Sequence, residues 1–285
     1  MWLNPTIQLI GHGQIEGVCD LSPEEVVSWQ RQSMEGQTVI PALANVYQLA
    51  ELQMFTFAHR NPEMLLDRTS TALVLADIQN EFLSESGSYY PMIEDSLRAN
   101  NVPDNIEALL KAAKEYGFPV IHSPHYYYPT DRQWVAPGGA ISHYLATQIS
   151  FVGRKNPVDL EGFAGSRADY PERYKKYLQD GKTANTSPHK GASSRANDVI
   201  KQLRMRRIEK VIMAGPVANI CLEGHMRDII EEGMEVAMVR DAVAGGRNEE
   251  GDAYLAAMIN YRFFANAVWT TEEAIGRMKA VAASA

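Results

Sequence analysis

The sequence predicts a three-layer α/β/α domain on a mostly parallel, about six-stranded sheet, with an N-terminal helical arm in front of it. Two observations predict this fold. Short apolar runs without polar alternation recur between residues 71 and 269, which is typical of strands buried on both faces of a parallel sheet. Amphipathic helical patterns separate these runs, and such alternation predicts right-handed crossovers in a Rossmann-like arrangement.

The predicted strands and helices follow one another along the second part of the chain. The strands are expected at Thr71 to Asp77, Phe118 to Ser123, Thr183 to Ser187, Lys210 to Gly215, Glu235 to Asp241 and Ala265 to Trp269. The helices between them are expected at about 104–116, 194–206, 221–232 and 250–262. The third strand is the most polar of the six.

Residues 1 to about 70 carry a different pattern. Ser22-Pro23-Glu24-Glu25 combines a capping residue, a proline at the first helical position and acids in the first turn, which predicts a helix to about Met34. A second helical run, from Pro41 to His59, carries an apolar stripe that consists of Leu43, Val46, Leu49, Leu52 and Phe55. We therefore divide the chain into an N-terminal helical extension, residues 1–70, and one larger domain, residues 71–285. The extension is expected to pack on that domain or on a neighbouring subunit.

Composition excludes several classes of protein. At 285 residues with 45% hydrophobic content, the chain is long enough for one large domain and an extension. The formal net charge of −8 argues against nucleic acid or an anionic membrane as the main partner. No segment supplies the ~20 apolar residues of a membrane span, and the start of the chain lacks a secretory pattern. Only two cysteines, Cys19 and Cys221, are present, which excludes a disulfide framework, so we expect a cytoplasmic protein.

Three reactive side chains follow predicted strands. Asp77 closes the first strand, Lys190 comes three residues after the third, and Cys221 follows the fourth across a six-residue turn. In an open α/β sheet, ligands bind beyond the carboxyl ends of the strands. An acid, a cation and a thiol at those ends form a working set for covalent hydrolysis, in which the acid takes the thiol proton and the thiolate attacks a carbonyl carbon.

Cys221 stands where an apolar strand gives way, through a tight turn, to a helical pattern. A thiol at a helix N-terminus lies in the partial positive charge of free N–H groups, which favours the thiolate. The alternative is that Cys221 is a small buried apolar residue with ordinary thiol chemistry. A redox role is disfavoured, because no second cysteine lies near it in the sequence to resolve a sulfenic acid.

These residues resemble the motifs of the isochorismatase-like cysteine hydrolase superfamily. The similarity covers roughly residues 71 to 275 and rests on Ala76-Asp77-Ile78-Gln79-Asn80-Glu81-Phe82, Ser187-Pro188-His189-Lys190 and Gly215-Pro-Val-Ala-Asn-Ile-Cys221-Leu-Glu. The resemblance implies an isochorismatase-like hydrolase domain at 71–285, with Asp77 as general base, Cys221 as nucleophile and Lys190 as third member of a catalytic triad. It also implies a small-molecule substrate, no cofactor and a homo-oligomer.

The resemblance also implies an oxyanion hole made by the backbone N–H groups of Val217 and Cys221, next to a cis peptide at Pro216-Val217. Cys221 favours cleavage of a C–N bond in an amide, ureide or carbamate, because the ether-hydrolysing isochorismatases lack this cysteine. Two alternatives remain open. One is an ether hydrolase in which Asp77 protonates the substrate and the thiol is incidental. The other is a non-catalytic binding or scaffold protein of this fold.

More than one lysine can be the cation, and two histidines are candidate metal ligands. Lys155 and Lys182 are also candidates, but Lys182 precedes its strand and Lys155 lies in a loop rich in glycine and proline, so Lys190 is preferred. Metal-binding nicotinamidases carry an Asp-x-His pair. Here His122 and His125 stand three residues apart with no carboxylate close behind them in the sequence, so no metal is expected.

Candidate substrate-binding residues lie in the loops after the first two strands. Both loops leave the expected active edge of the sheet, so their rings can wall a pocket for a flat or apolar acyl group, with core or subunit packing as the alternative. The candidates are Asn80, Tyr89, His125, Tyr126, Tyr128 and Trp134. His225 and Arg227 are expected at the surface or at an interface, and Glu223 is expected to stabilise the first turn of its helix.

Overall fold

The computed structural model describes residues 64–284 of the chain. The predicted helices at 22–34 and Pro41–His59, and therefore almost all of the predicted arm, lie outside the described residues. Within them, eight strands follow in chain order: β1 (Thr71–Ala76), β2 (Val120–Ser123), β3 (Ala184–Asn185), β4 (Lys210–Ala214), β5 (Glu235–Val239), β6 (Arg247–Asn248), β7 (Gly251–Asp252) and β8 (Ala267–Trp269). Six of them form one parallel sheet in the order β3-β2-β1-β4-β5-β8, and β6 and β7 form an antiparallel hairpin.

Nine α-helices accompany these strands in the described part of the chain. They are α1 (Asn80–Leu83), α2 (Tyr90–Ala99), α3 (Val102–Tyr116), α4 (Gly139–Thr147), α5 (Glu172–Leu178), α6 (Val199–Met205), α7 (Glu223–Glu231), α8 (Ala253–Phe264) and α9 (Thr271–Ala283). All six predicted strands are present, and the four predicted helices correspond to α3, α6, α7 and α8. The helix predicted from residue 194 starts later, because a separate 3-10 turn occupies Ser194–Ala196.

The sheet is covered on both faces, as its apolar strands predict. Every residue of β1 is buried, and its side chains alternate between two cores. Leu73 and Leu75 belong to the core that α3 and α9 cover with residues such as Leu109 and Met278. Ala72 and Val74 belong to the opposite core, to which α6, α7 and α8 contribute Leu203, Met226 and Ala257. The predicted three-layer α/β/α architecture is therefore confirmed.

The strand order reverses between β1 and β4, and this reversal defines the functional edge of the sheet. From β1 the chain moves outward to β2 and β3, then returns to β4 on the other side of β1 and continues to β5 and β8. Thr71 pairs with Lys210 and Leu75 with Ala214, so the carboxyl ends of β1 and β4 lie side by side. A crevice at such a reversal is the usual ligand site of an open α/β sheet.

Gly215, which follows β4, is required at this junction. Its φ is +121°, and a β-carbon built there would lie 2.0 Å from the carbonyl oxygen of Ala76 at the end of β1. Only glycine fits both the backbone conformation and the close approach. In the described part of the chain, no helix combines the length and the apolar character that a membrane crossing needs.

Candidate active site

Asp77 is presented at the end of β1 by an unusual backbone conformation. Its φ is +57°, in the left-handed region, and its N–H donates to the carbonyl oxygen of Ser123 at 3.1 Å. The side chain is completely buried. A non-glycine residue in this region is uncommon and is often found at functional sites.

Cys221 lies in a π-helical turn, Ala218–Leu222, that joins β4 to α7. The N–H of Leu222 donates to the carbonyl oxygen of Val217, five residues back, at 3.2 Å. The sequence pattern predicted a helix from the cysteine onward, whereas the regular α-helix starts two residues later. Single π turns inside helices occur frequently at functional sites. The peptide Pro216-Val217 is cis, as the resemblance implies.

The sulfur of Cys221, a carboxylate oxygen of Asp77 and a ring nitrogen of His189 all lie within 4.8 Å of one another. His189 follows β3, and its Nε2 lies 2.7 Å from Oδ1 of Asp77. The three side chains are buried, with Cys221 4% exposed and the other two fully enclosed. Asp77, Cys221 and the loop after β3 thus converge as the strand order predicts, but the loop supplies a histidine.

Lys190, the predicted third member, is not brought to Asp77. Its Nζ lies 2.5 Å from Oδ2 of Asp131 and 4.3 Å from the centre of the Tyr128 ring. The reason is the extended backbone at this point: His189 pairs with His125 in a parallel bridge, and successive side chains of an extended segment point to opposite sides. Consequently His189 points to Asp77 and Cys221, whereas Lys190 points away from them to Asp131.

The resting cysteine is a thiol, in contrast to the thiolate expected from its position near a helix start. Burial raises the pKa of the Cys221 thiol well above its ordinary value, and the negative charge of Asp77 raises it further. Hydrogen bonds from the backbone groups of Val217 and Cys221 to the sulfur oppose this shift without reversing it. The helix-terminus effect is therefore outweighed by desolvation.

Asp77 remains ionised despite its burial. Burial alone raises the pKa of a carboxyl group, but the charge and hydrogen bond of His189 lower it, and the net shift of the Asp77 pKa is downward. Its second oxygen, Oδ2, has no hydrogen-bond partner among the described residues. Asp77 therefore keeps one carboxylate oxygen without a hydrogen bond, in the same buried cluster as the thiol.

His225 belongs to this site and not to the surface, where the sequence analysis placed it. It is fully buried, and its Nδ1 lies 2.7 Å from the carbonyl oxygen of Cys221, to which it donates. Nε2 accepts from Ser123 Oγ at 2.8 Å, and Asn197 donates to that hydroxyl at 2.8 Å. This chain of hydrogen bonds, from Asn197 through Ser123 and His225, holds the backbone of the nucleophile in place.

A group of aromatic side chains reaches the cluster through His189. The ring centre of His125 lies 4.8 Å from that of His189, and the ring centre of Tyr89 lies 6.4 Å from that of Tyr144. Burial raises the pKa values of Tyr89, Tyr127 and Tyr144. His125 lies among them, with its ring centre 5.4 Å from that of Tyr127 and 5.8 Å from that of Tyr144. Of the predicted wall residues, His125 and Tyr89 therefore belong to the aromatic group next to the cluster.

The other predicted wall residues lie elsewhere. Tyr126 and Tyr128 pack with Val152 in a separate apolar cluster, because they alternate with His125 and Tyr127 along an extended segment. Trp134 is 44% exposed and contacts the edge of Tyr127. Asn80 donates to the carbonyl oxygen of Ser166 at 3.0 Å and so fixes a loop.

Glu223 and Arg227 pair with each other at the start of α7. The guanidinium group of Arg227 donates to Oε1 of Glu223 at 2.8 Å and covers the ring of Phe264 at 3.8 Å. Asn260 also donates to Glu223, at 3.0 Å. These contacts join α7 to α8 and pair the two charges with each other.

The atoms at the centre of the site are arranged for proton transfer. In residues 64–284, Asp77, His189 and Cys221 form the group whose ligand-type atoms are close enough together to consider a cation. The 2.7 Å between Nε2 and Oδ1 is a hydrogen-bond distance. Of the two histidines weighed as metal ligands, His125 uses Nδ1 to donate to the carbonyl oxygen of His189 at 3.1 Å, and His122 packs edge-on against Tyr170.

Comparison with known proteins decides the family. The sequence model of the isochorismatase domain matches residues 71–273. The chain belongs to the isochorismatase domain family of hydrolases. Among curated proteins, it is 26% identical over 192 residues to the ureidoacrylate amidohydrolase RutB of Rhizobium rhizogenes, an alignment that covers 67% of this chain and 76% of the relative.

Solved structures of the isochorismatase family share the fold. A cysteine hydrolase from Pseudomonas syringae superposes with a TM-score of 0.61 at 20% identity, covering 76% of this chain and 95% of that one. An N-carbamoylsarcosine amidase from Thermoplasma acidophilum superposes with a TM-score of 0.50 at 16% identity, covering 71% and 97%. At these identities the likeness concerns the architecture.

Several residues of this isochorismatase-family site escaped the sequence analysis. His189 stands one position before the predicted lysine, and Tyr127 stands between two predicted tyrosines. The available signal was the alternation of side-chain direction along both extended loops, counted from the buried His125. Tyr144 on α4 and the Asn197–Ser123–His225 chain come from distant parts of the sequence, and no local pattern marks them.

Proposed function

We propose that this isochorismatase-family hydrolase uses Cys221 to cleave a C–N bond in a small amide, ureide or carbamate through a thioester intermediate. One observation carries the proposal: the thiol and an ionised carboxylate with a free oxygen lie together in a buried cluster. The two come from the ends of adjacent strands, where this fold binds ligands. A thiol with a raised pKa needs such a base to become a nucleophile.

Acylation begins when Asp77 takes the thiol proton. The thiolate attacks the substrate carbonyl carbon, and the developing oxyanion accepts hydrogen bonds from the N–H groups of Val217 and Cys221. The tetrahedral intermediate then breaks its C–N bond, and the departing nitrogen takes the proton from Asp77. Ammonia or an amine leaves, and the acyl group remains on the sulfur.

Deacylation uses the same groups in reverse. Asp77 removes a proton from a water molecule, whose oxygen attacks the thioester carbonyl. When the C–S bond breaks, the proton returns to the sulfur and the acid product leaves. Every proton removed by Asp77 is thus returned within the cycle, so the reaction needs no redox partner.

The choice of C–N bond chemistry draws support from two sources. The curated relative in Rhizobium rhizogenes is an amidohydrolase by its name, and the likeness to it spans most of this chain. The rings of His125, Tyr127 and Tyr144, which contact one another next to the cluster, favour a flat acyl group over a bulky one. We therefore expect a small planar substrate.

An ammonia-release screen over primary amides, ureides and carbamates tests the proposal. The full chain, Cys221→Ala and Cys19→Ala are compared, because the last variant removes the other thiol and serves as the matched control. We expect turnover by the parent and by Cys19→Ala, and none above background by Cys221→Ala. Undiminished hydrolysis of a confirmed substrate by Cys221→Ala refutes the mechanism and favours ether-type chemistry with an incidental thiol.

A further inference from the structure

The hydrogen bonds of His189 determine how many protons its ring holds. Nδ1 lies 2.6 Å from the carbonyl oxygen of Gly191, and Nε2 lies 2.7 Å from Oδ1 of Asp77. A carbonyl oxygen has no hydrogen to give, so Nδ1 must carry one. A neutral ring with its hydrogen on Nδ1 then turns a lone pair at Nε2 towards a carboxylate oxygen. At 2.7 Å this contact requires one more proton between the two atoms.

That proton belongs to the ring and not to the carboxyl group. An imidazole ring is the stronger base of the two, with an ordinary pKa of about 6.5 against about 3.9 for an aspartic acid side chain. Two acceptors, the carbonyl oxygen of Gly191 and Oδ1 of Asp77, also flank the ring. Asp77 is therefore the anion of the pair. We propose that His189 is an imidazolium in the resting enzyme and serves as a positioning residue that supplies the fixed positive charge beside Asp77.

The groups that face His189 are consistent with a single cation at this point. The rings of His125, after β2, and His225, on α7, each lie with their centres 4.8 Å from that of His189. Burial lowers the pKa of His125 to about 3 and of His225 to about 4, and the charge of His189 adds to both shifts. His122, on β2, behaves likewise, with a pKa of about 4. Asp77 is the carboxylate that balances the one charged ring.

The imidazolium makes the proposed proton transfer electrically balanced. Before transfer the buried site holds a carboxylate, an imidazolium and a thiol; afterwards it holds a carboxylic acid, an imidazolium and a thiolate. The net charge is zero in both states. With a neutral ring, both states carry an uncompensated negative charge in a buried site, which desolvation disfavours. We infer that the thiolate forms only while His189 stays protonated.

This inference predicts a pH limit that a lysine in the same role does not impose. An imidazolium gives up its proton at much lower pH than an ammonium group. Reactivity of Cys221 should thus fall once the pH is high enough to remove the ring proton. A His189→Lys variant keeps the charge and moves that fall to higher pH by a unit or more.

The first test measures protonation without any substrate. Nitrogen NMR of the full chain with labelled histidine is recorded from pH 5.5 to 9, and the His189→Gln spectrum identifies the signal by its loss. We expect two protonated nitrogens for His189 at neutral pH and single protonation for the other buried rings. One protonated and one bare nitrogen in His189 at neutral pH overturns the proposal. The readout is independent of turnover, so it also stands if the proposed function, on which the mechanistic role rests, fails.

The second test follows alkylation of Cys221 by iodoacetamide across the same pH range. The Cys19→Ala background isolates one thiol, and His143→Gln, which replaces an exposed histidine, is the matched control. We expect His189→Gln to slow alkylation at neutral pH roughly 10- to 100-fold, and His189→Lys to restore it with the alkaline fall displaced. Identical pH profiles for the parent and His189→Lys contradict the proposal. Should the glutamine variant not fold, the lysine variant and the nitrogen spectra decide the question.

Discussion

Gly215 approaches Ala76 so closely that a β-carbon at position 215 would stand 2.0 Å from the Ala76 carbonyl oxygen. This contact draws the end of β4 against the end of β1. Asp77 follows Ala76 directly, and the turn to Cys221 starts at Gly215. The distance between the two reactive side chains is therefore set by a backbone contact that only glycine permits.

Replacement of Gly215 should damage both stability and activity. In Gly215→Ala the new methyl group meets backbone atoms that cannot move aside, and the positive φ adds strain of about 1 kcal/mol. We expect a loss of unfolding free energy of roughly 3 kcal/mol or more, in line with other overpacked positions. Urea unfolding gives the value.

Gly233→Ala is the matched control for that experiment. Gly233 also has a positive φ, +80°, but nothing lies within 4 Å of a β-carbon placed there. Only the conformational penalty of about 1 kcal/mol is expected. Equal losses in the two variants would show that strain at φ, and not the contact with Ala76, governs Gly215.

Removal of the charge of Asp77 should abolish the base. In Asp77→Asn the amide cannot accept the thiol proton, so we expect kcat/KM to fall by at least about a hundredfold, as is usual for a lost general base. Asp95→Asn replaces an exposed carboxylate on α2 and should leave the rate unchanged. Steady-state kinetics on a substrate from the screen provide the comparison, and a fully active Asp77→Asn protein contradicts this role.

Lys190 is expected to act on its loop and not on the reaction. Lys190→Gln leaves the mostly buried Asp131 without its ion-pair partner, which should reduce stability by about 1–3 kcal/mol. Asp131→Asn/Lys190→Gln should recover part of the loss, because neither charge is then unpaired. A double-mutant cycle by thermal unfolding measures the coupling. We expect kcat to drop less than tenfold; a loss as large as that of Asp77→Asn would return Lys190 to the catalytic set.

The buried histidines predict acid sensitivity of the fold. His122, His125 and His225 hold pKa values of about 4, 3 and 4, below the ordinary 6.5, because burial disfavours their charged forms. As the pH falls below about 6.5, the unfolded chain binds protons that the folded chain does not, so stability decreases until about pH 4. The loss is on the order of 3 kcal/mol for each ring.

Urea unfolding at pH values from 7.5 to 4.5 checks this sign and window. His225→Gln should flatten the pH dependence, since one of the three rings is gone. His143→Gln, in which an exposed histidine is replaced, should keep the parent slope. Stability that does not change over this range would show that the folded protein takes up protons on these rings as readily as the unfolded chain does.

The sequence predicted the sheet and the positions of Asp77 and Cys221, because these features depend on strong local patterns. Runs such as Thr71–Ala76 are apolar throughout, and Asp77 and Cys221 follow their strands directly or after one turn. Helix α9 was overlooked, although Thr270 and Glu273 form the reciprocal capping pair that marks a helix start.

The identity of the third central residue was not predictable from such patterns. One of the two neighbours, His189 or Lys190, must face Asp77 and Cys221. The choice depends on the direction of one peptide unit, which is set by the bridge between His189 and His125 at the sheet edge. A shift of one position in an extended segment exchanges inside and outside. The same alternation places Tyr127 on one side of its segment and Tyr126 and Tyr128, which the sequence favoured as wall residues, on the other.

The wide turn at Ala218–Leu222 has a consequence for sequence change in this segment. Each residue of an α-helix turns the chain by about 100° about the helix axis. Deleting one residue from the π turn, which would restore ordinary α-helical winding, would therefore either move the thiol of Cys221 away from Asp77 or rotate α7 about its axis. Point substitutions at positions other than Cys221 leave the number of residues in the turn unchanged, whereas insertions and deletions alter it. The number of residues between Gly215 and Glu223 should therefore be more strongly constrained than their identity.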